Sequence, residues 1–340
     1  MRSLAAVVPR ESAEVVRRAL AHDGLLRADL AVAHSGSEVL FPLLAAPARA
    51  IPPARIEERE FAEPPPHDPA SYREGLDVPE EVRRALPRAF DVVGDIVLIR
   101  IPEPLRVHGP AVGESLLAFV PGARLVGLDL GVHGETRVRR LERLAGGGPW
   151  TTTHRENGLT LDVDLERAYF SPRLAREHAD VASQVTPGER VIDFACGVAP
   201  FGAAIVREAH AREVVAVDLN PFATELAERN LRRAGPAHRF RVVTGSIEAF
   251  APSAGTCERA ILNLPHGGVK YAPSVATTVA RGGTLHFYEV TERSRADGRP
   301  EELLSMIAER ANGPWTLAEC HIVHAYSPTE DLVAYRLSRS

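Results

Sequence analysis

Asp193 and Asp218 are the residues of this chain best placed to do chemistry. Asp193 lies in the apolar run Val191-Ile192-Asp193-Phe194, which passes into the small-residue turn Ala195-Cys196-Gly197-Val198-Ala199-Pro200-Phe201-Gly202. Small residues let a ligand approach the backbone closely, at the carboxyl end of a strand where open α/β sheets bind their ligands. The turn is not a dinucleotide fingerprint, because only Gly197 and Gly202 are glycines. Asp218 closes the next apolar run, Val214 to Val217, and can accept both hydroxyls of a ribose. Asn220-Pro221 directly after it leaves a helix N-cap as the competing role. Asn263-Leu264-Pro265-His266 ends a further apolar run with a side chain that both donates and accepts, or with a plain turn before proline. In Tyr169-Phe170-Ser171-Pro172-Arg173-Leu174-Ala175-Arg176-Glu177-His178, Ser171 and Pro172 predict a helix start. Arg173 and Glu177 would then share a face, as a surface ion pair or as a general base with its arginine.

The elements that must hold these residues form three groups. Residues 1–50 predict a small α/β unit. Its parts are a strand over 4–8, a helix over 11–22 and a hairpin of 31–34 with 39–44 across Ser35-Gly36-Ser37. Residues 51–79 are polar and proline-rich, and Pro64 to Pro66 favour an extended linker. Residues 80–165 predict an α+β middle domain, with strands in FDVVGDIVLIRIP, over 124–130, 151–156 and 159–163, and a helix over 115–120. Residues 166–340 alternate strands (190–194, 213–217, 240–244, 259–262, 284–289) with helices. They end in an antiparallel pair, 318–326 with 331–337. That is a Rossmann-like seven-stranded parallel α/β sheet of the class I methyltransferase kind.

Composition narrows the function. The chain has 340 residues, 45% hydrophobic and 25% charged, with 40 basic and 45 acidic residues and a net charge of −5. Disordered, collagen-like and disulfide-scaffold proteins are excluded. A nucleic-acid contact would need a local basic face. No apolar run reaches membrane-spanning length, and the N-terminus lacks the apolar stretch of a signal peptide. Cys196, Cys257 and Cys320 are odd in number and lack metal-ligand spacing. The expectation is a cytoplasmic protein with no metal and no membrane contact.

Together the motifs resemble the archaeal and eukaryotic tRNA (guanine-37-N1)-methyltransferase family. YFSPRLAREH, DFACGVAPF, DLNP and NLPH stand in its order, and the likeness continues in FDVVGDIVLIRIP, GETRVR, HRENG and the N-terminal VPRESAEVVRRALAHDGLL. The resemblance implies methyl transfer from S-adenosylmethionine to N1 of guanosine 37 by a monomer that contacts the anticodon stem-loop and, through its N-terminal domain, the outer corner of tRNA. It implies Glu177 as the base for N1 and Arg137 as the partner of O6, on different units that tRNA would bring together. Tyr169 and Arg173 position the substrate, and Asn263 and Pro265 flank the target base. For the cofactor it implies Asp218 and Leu219 at the ribose and Ser246 and Ile247 at the adenine, with Asp193, Gly197, Pro200 and His178 completing that site.

Three positions depart from the family pattern. Ala199 replaces a loop glycine, which either crowds the methionine moiety or fills ordinary φ < 0 space. His178 replaces an arginine, and Ser246 an aspartate that would accept from the adenine amino group. The alternatives are aminocarboxypropyl transfer in wybutosine synthesis, or a methyltransferase turned to a small molecule. In the aminocarboxypropyl group the loop Pro-Phe, the Asp-x-Asn-Pro and the Asn-Leu-Pro are usually altered, and all three are kept here.

Overall fold

The computed structural model describes residues 1–27, 29–63, 70–311 and 313–340, so the Pro64–Pro66 run lies outside the described residues. The chain divides into two compact units, Met1–Ala70 and Ser71–Ser340.

In the first unit, strands β1 (Arg2–Pro9), β2 (Ala33–Ser35), β3 (Glu38–Leu43) and β4 (Arg55–Glu60) form a sheet in the order β2-β3-β1-β4. Helix α1 (Ala13–His22) lays Val16 and Leu20, four residues apart, onto Ala6, Val8, Phe41 and Leu43. The linker expected from residue 51 begins too early. Residues 55–60 pair antiparallel with β1, from Arg2 opposite Glu60 to Val7 opposite Arg55. Charged side chains suit this edge position, where they discourage pairing with other chains.

The second unit joins the expected middle and C-terminal domains. Strands β5 (Asp91–Val93), β6 (Ile96–Ile99), β7 (Leu125–His133) and β8 (Val138–Gly146) form a sheet in sequence order, preceded by helix α2 (Glu80–Ala85). Helix α3 (Gly109–Phe119) bridges the parallel pair β6 and β7. It packs so closely on β8 that a Cβ on Gly113 would lie 2.7 Å from Leu144. Tyr72 and Leu76, assigned to the linker in sequence, are buried in this domain's core. Strands β9 (Thr151–Glu156) and β10 (Leu159–Asp164) form a hairpin, as expected. Its Leu159, Leu161 and Val163 pack in one core with the helices beyond residue 166, so the boundary expected at 165 crosses a continuous core.

The remaining elements are helix α4 (Ala175–Ser183), strand β11 (Arg190–Phe194), helix α5 (Pro200–Glu208), strand β12 (Glu213–Asp218), helix α6 (Pro221–Ala234), strand β13 (Phe240–Thr244), helix α7 (Ile247–Phe250), strand β14 (Cys257–Leu262), helix α8 (Ala272–Ala276), strand β15 (Val279–Glu292), helix α9 (Arg299–Ala308) and strands β16 (Trp315–Ala325) and β17 (Glu330–Arg339). The sheet order is β13-β12-β11-β14-β15-β17-β16, with the first five strands parallel and β17 antiparallel to both its neighbours. Helices α4, α5 and α6 cover one face, and α8 and α9 the other. Burial on both faces explains the near-continuous apolar runs of β11, β12 and β14. Among the described residues no helix is long and apolar enough to cross a membrane.

The turn after β11 carries unusual backbone. Ala195 (φ 56°), Gly197 (57°) and Ala199 (58°) are all left-handed. Ala199 therefore does not occupy the ordinary φ < 0 space allowed in sequence, and it is fully buried. A left-handed residue bearing a Cβ costs roughly 1–2 kcal/mol. Glycine removes that cost but adds up to about 1 kcal/mol of chain entropy. Ala199→Gly is expected to stabilise the protein by about 0.5–1 kcal/mol. Chemical denaturation checks this, with a lower midpoint counting against strain at 199.

Candidate active site

The carboxyl ends of β11, β12 and β14 open onto a cleft of about 580 Å³. Asp218, at the end of β12, is held by two backbone amides: Gly197 N–H donates to Oδ2 and Asn220 N–H to Oδ1, each at 2.8 Å. The helix-capping role belongs to Asn220, whose Oδ1 accepts from the Phe222 amide at 3.0 Å. Asp218 is thus oriented but keeps lone pairs for a ligand, which is what a ribose diol requires. Burial raises its pKa, opposed by the two amides.

Asp193 lies on the adjacent strand β11, fully buried, and only the Gly202 amide approaches its carboxylate, too loosely to satisfy either oxygen. Burial, with the Asp218 charge beside it, pushes its pKa up to about 8. An acid in that state is a site waiting for a cation. Across the cleft Asn263 likewise has a buried, unpartnered Oδ1. These orphaned acceptors fit a cofactor that carries an ammonium group and a target base rich in N–H donors.

Of the residues expected at the site, Arg137, Tyr169, Gly197, Asp218, Leu219, Ser246, Ile247, Asn263 and Pro265 line the cleft. Arg137 lies in the cleft and Glu177 does not, so the two residues expected to act together are apart in this structure. The β7–β8 turn carries Arg137 in, and its Nη1 donates to the His266 carbonyl at 3.3 Å. Tyr169 lies under the Arg139 guanidinium, 5.2 Å from its ring centre. Arg139 is itself buried, bonded to Asp129 and to the Phe170 carbonyl. Ser246 Oγ accepts from the Ala249 amide at 3.2 Å as the cap of α7, which leaves the neutral hydroxyl one lone pair and its O–H in place of a carboxylate.

Glu177, Arg173, His178, Asp193 and Pro200 do not line the cleft. Pro172–Leu174 forms a single 3₁₀ turn and α4 begins at Ala175, four residues after the expected cap. Arg173 therefore pairs with Asp91 at 2.7 Å, and the surface ion pair with Glu177 is not among its contacts. Glu177 is buried. Tyr288 Oη donates to its Oε2 at 3.1 Å, and His321 Nε2 lies 2.9 Å from Oε1. His178 packs edge-on to Phe201 and bonds through Nδ1 to Glu156 at 2.6 Å, so it supports the core rather than contacting the cleft. Its partner Glu156 is held at a pKa of about 2 by His154 and His178 against the effect of burial. Pro200 is the buried first residue of α5. Ala199 also lies outside the cleft lining.

Sequence reasoning missed Arg100, His324 and Tyr326 on the cleft wall. Each comes from a strand end remote in sequence, where nothing local marks a site.

A seven-stranded sheet in this order, with a tight loop after its first strand and an acid ending its second, defines a class I methyltransferase. Family models for the TRM5/TYW2 methyltransferase domain and the TYW2 N-terminal domain match residues 152–313 and 72–149. Trm5b of Pyrococcus abyssi, a tRNA (guanine(37)-N(1))-methyltransferase, is 29% identical over 98% of both chains, and its crystal structure matches with a TM-score of 0.79 over 99% of each. Trm5b of Methanocaldococcus jannaschii is 30% identical over 72% of this chain and 69% of its own. A complex of aTrm5 with tRNALeu matches with 26% identity and a TM-score of 0.72 over 99% of this chain and 100% of that one. The chain belongs to the tRNA (guanine(37)-N(1))-methyltransferase family.

The Asp193 proton has a thermodynamic signature. Between the ordinary value of 3.8 and about 8 the folded protein holds this proton while the unfolded chain has lost it. The folded state then binds more protons, so this group's contribution to stability falls as pH rises through that window. Asp193→Asn removes the dependence. The melting temperature of Asp193→Asn minus that of wild type, without cofactor, is expected to increase steadily from pH 4 to pH 8. A constant difference would mean that Asp193 is ionised in the folded protein.

Proposed function

We infer that the protein transfers the methyl group of S-adenosylmethionine to N1 of guanosine 37 in tRNA. The observation that carries this is the meeting of Arg137, Tyr169, Asn263 and Pro265 with Asp218 in one cleft, on a chain of this family. Retention of Pro200-Phe201, Asn220-Pro221 and Asn263-Leu264-Pro265 favours methyl over aminocarboxypropyl transfer. When bound, the cofactor supplies an electrophilic methyl group on a sulfonium.

The chain's own residues supply alignment, charge and a proton acceptor. Asp218 accepts the ribose hydroxyls, and Asp193, buried beside the cleft on β11, supplies negative charge that draws the cationic end of the cofactor toward it. Asn263 offers its free Oδ1 to guanine N–H groups, fixing the base edge. Guanine N1 attacks poorly while protonated. Its N–H electron pair becomes the new N1–CH₃ bond as the proton passes to Glu177, the methyl–sulfur bond breaks with its electron pair kept by the departing thioether sulfur, and Arg137 donates to O6 as negative charge develops there. Fixed donors of that kind are worth about 10²–10³ in rate.

Glu177 must first be freed. Tyr288 and His321 occupy one carboxylate oxygen each, so one of them must give way before an oxygen can meet the N1 proton. Entry of the base next to Leu174, three residues before Glu177, would displace one of them, since catalytic hydrogen bonds commonly form only in the complex. Glu177→Gln keeps the shape and is expected to lower the single-turnover rate of methylation by about 10²–10⁴. Nucleoside mass spectrometry of tRNA with and without guanosine at 37 reads the product in the same experiment. Near wild-type speed in Glu177→Gln would remove the base from the scheme, and methylation that persists without guanosine 37 would contradict the substrate.

A further inference from the structure

One wall of the cleft is built for more than the target base. Tyr326 follows β16 at the tip of the β16–β17 hairpin, and its ring meets that of His266 edge-on, with centroids 4.8 Å apart and planes at 65°. The hairpin is pinned. The Tyr326 amide donates to the Glu330 carbonyl at 2.9 Å, and the Glu330 amide donates to Ser327 Oγ at 3.1 Å. Arg293 clamps the same turn, donating to the Pro328 carbonyl at 3.0 Å and pairing with Asp331 at 2.8 Å. Tyr326 is nonetheless 37% exposed, and His266 is exposed beside it. Two rigid aromatic rings with open faces, on a cleft that takes single-stranded RNA, make a stacking surface for a base.

Arg100, just past the end of β6, lines the same wall. Asp129, almost wholly buried, holds its Nε at 3.2 Å, while the arginine side chain stays 58% exposed. Asp129 and the Tyr326 hydroxyl both partner the guanidinium, which fixes it beside the tyrosine and leaves its remaining N–H groups for a phosphate oxygen. Base platform and phosphate-binding guanidinium therefore lie side by side. On the reading above, the target guanine is occupied by Tyr169, Asn263, Pro265 and Arg137, which leaves this wall for a neighbour.

We propose that Tyr326, His266 and Arg100 form a second nucleotide subsite, which takes the base and phosphate of a nucleotide adjoining guanosine 37. It rests on the guanosine 37 reading and adds that the enzyme holds its target loop open by stacking a second, unstacked base.

The test uses full-length protein and tRNA bearing 2-aminopurine at position 36 or at position 38. In the bound state one of these probes is expected to be more quenched with wild type than with Tyr326→Ala, which identifies the neighbour. Tyr326→Ala should weaken tRNA binding about tenfold, within the range for loss of one stacked base. Arg100→Gln should reduce the slope of log K against log salt by about 0.7, one phosphate contact on a single strand. Both variants should keep the wild-type melting temperature, which separates a lost contact from a lost fold. Equal quenching in wild type and Tyr326→Ala at both positions overturns the platform, and an unchanged salt slope overturns the phosphate contact. The guanosine 37 reading fails separately, through absence of methylation at 37 by wild type in the same samples.

Discussion

Two carboxylates at the ends of neighbouring parallel strands set the terms for the rest of the catalytic domain. β11 and β12 pair in register, Asp193 opposite Ala216 and Phe194 opposite Val217, which brings Asp193 and Asp218 into electrostatic contact inside the fold. Like charges in a buried place cannot both ionise cheaply. The chain resolves this by environment. Asp218 receives two amides and faces the cleft, whereas Asp193, approached only loosely by the Gly202 amide, has its pKa pushed up to about 8 by burial and the Asp218 charge. The left-handed backbone at 195, 197 and 199 bends the intervening loop so that the Gly197 amide reaches Asp218. Ligand affinity is thus stored as an unsatisfied acid in a domain whose other buried polar groups mostly have partners.

Around that pair the molecule assembles its site from distant segments. The β7–β8 turn brings Arg137 to the cleft and the β16–β17 hairpin brings Tyr326, while the ends of β12 and β14 carry Asp218 and Asn263. One continuous core, from the β9–β10 hairpin to helices α5 and α6, keeps these contributions in register. A lid or tethered domain is not needed to bring Arg137 to the cleft. Glu177, by contrast, is held outside the cleft lining by Tyr288 and His321.

Much of the catalytic sheet was legible in the sequence, because strands buried on both faces must be apolar throughout and the loop after β11 must be small. β13, β11 and the β16–β17 pair lie close to where periodicity places them. β4 and β8 were not legible. Arg55–Glu60 is charged because it is an edge, and β8 carries arginines at 139, 140 and 143 with two shifts of register against β7. The helix after Ser171 starts late because Pro172 begins a 3₁₀ turn instead, and this separates Arg173 from Glu177. Motif spacing identified the cleft residues near strand ends, Asp218 and Asn263 among them. It gave no sign that Glu177 is buried behind the cleft or that His178 belongs to the core, since burial depends on partners such as Tyr288, His321 and Glu156 far away in the chain.

The protonated Asp193 is the point on which the cofactor site turns, and calorimetry of S-adenosylmethionine binding reaches it most directly. Titrations at pH 7 in buffers of different ionisation enthalpy give the number of protons exchanged on binding. If Asp193 is neutral in the free protein and ionises against the cofactor's cationic end, wild type releases about one proton more than Asp193→Asn. Equal proton exchange by the two proteins would contradict the account, because Asp193 would then carry the same charge before and after the cofactor binds.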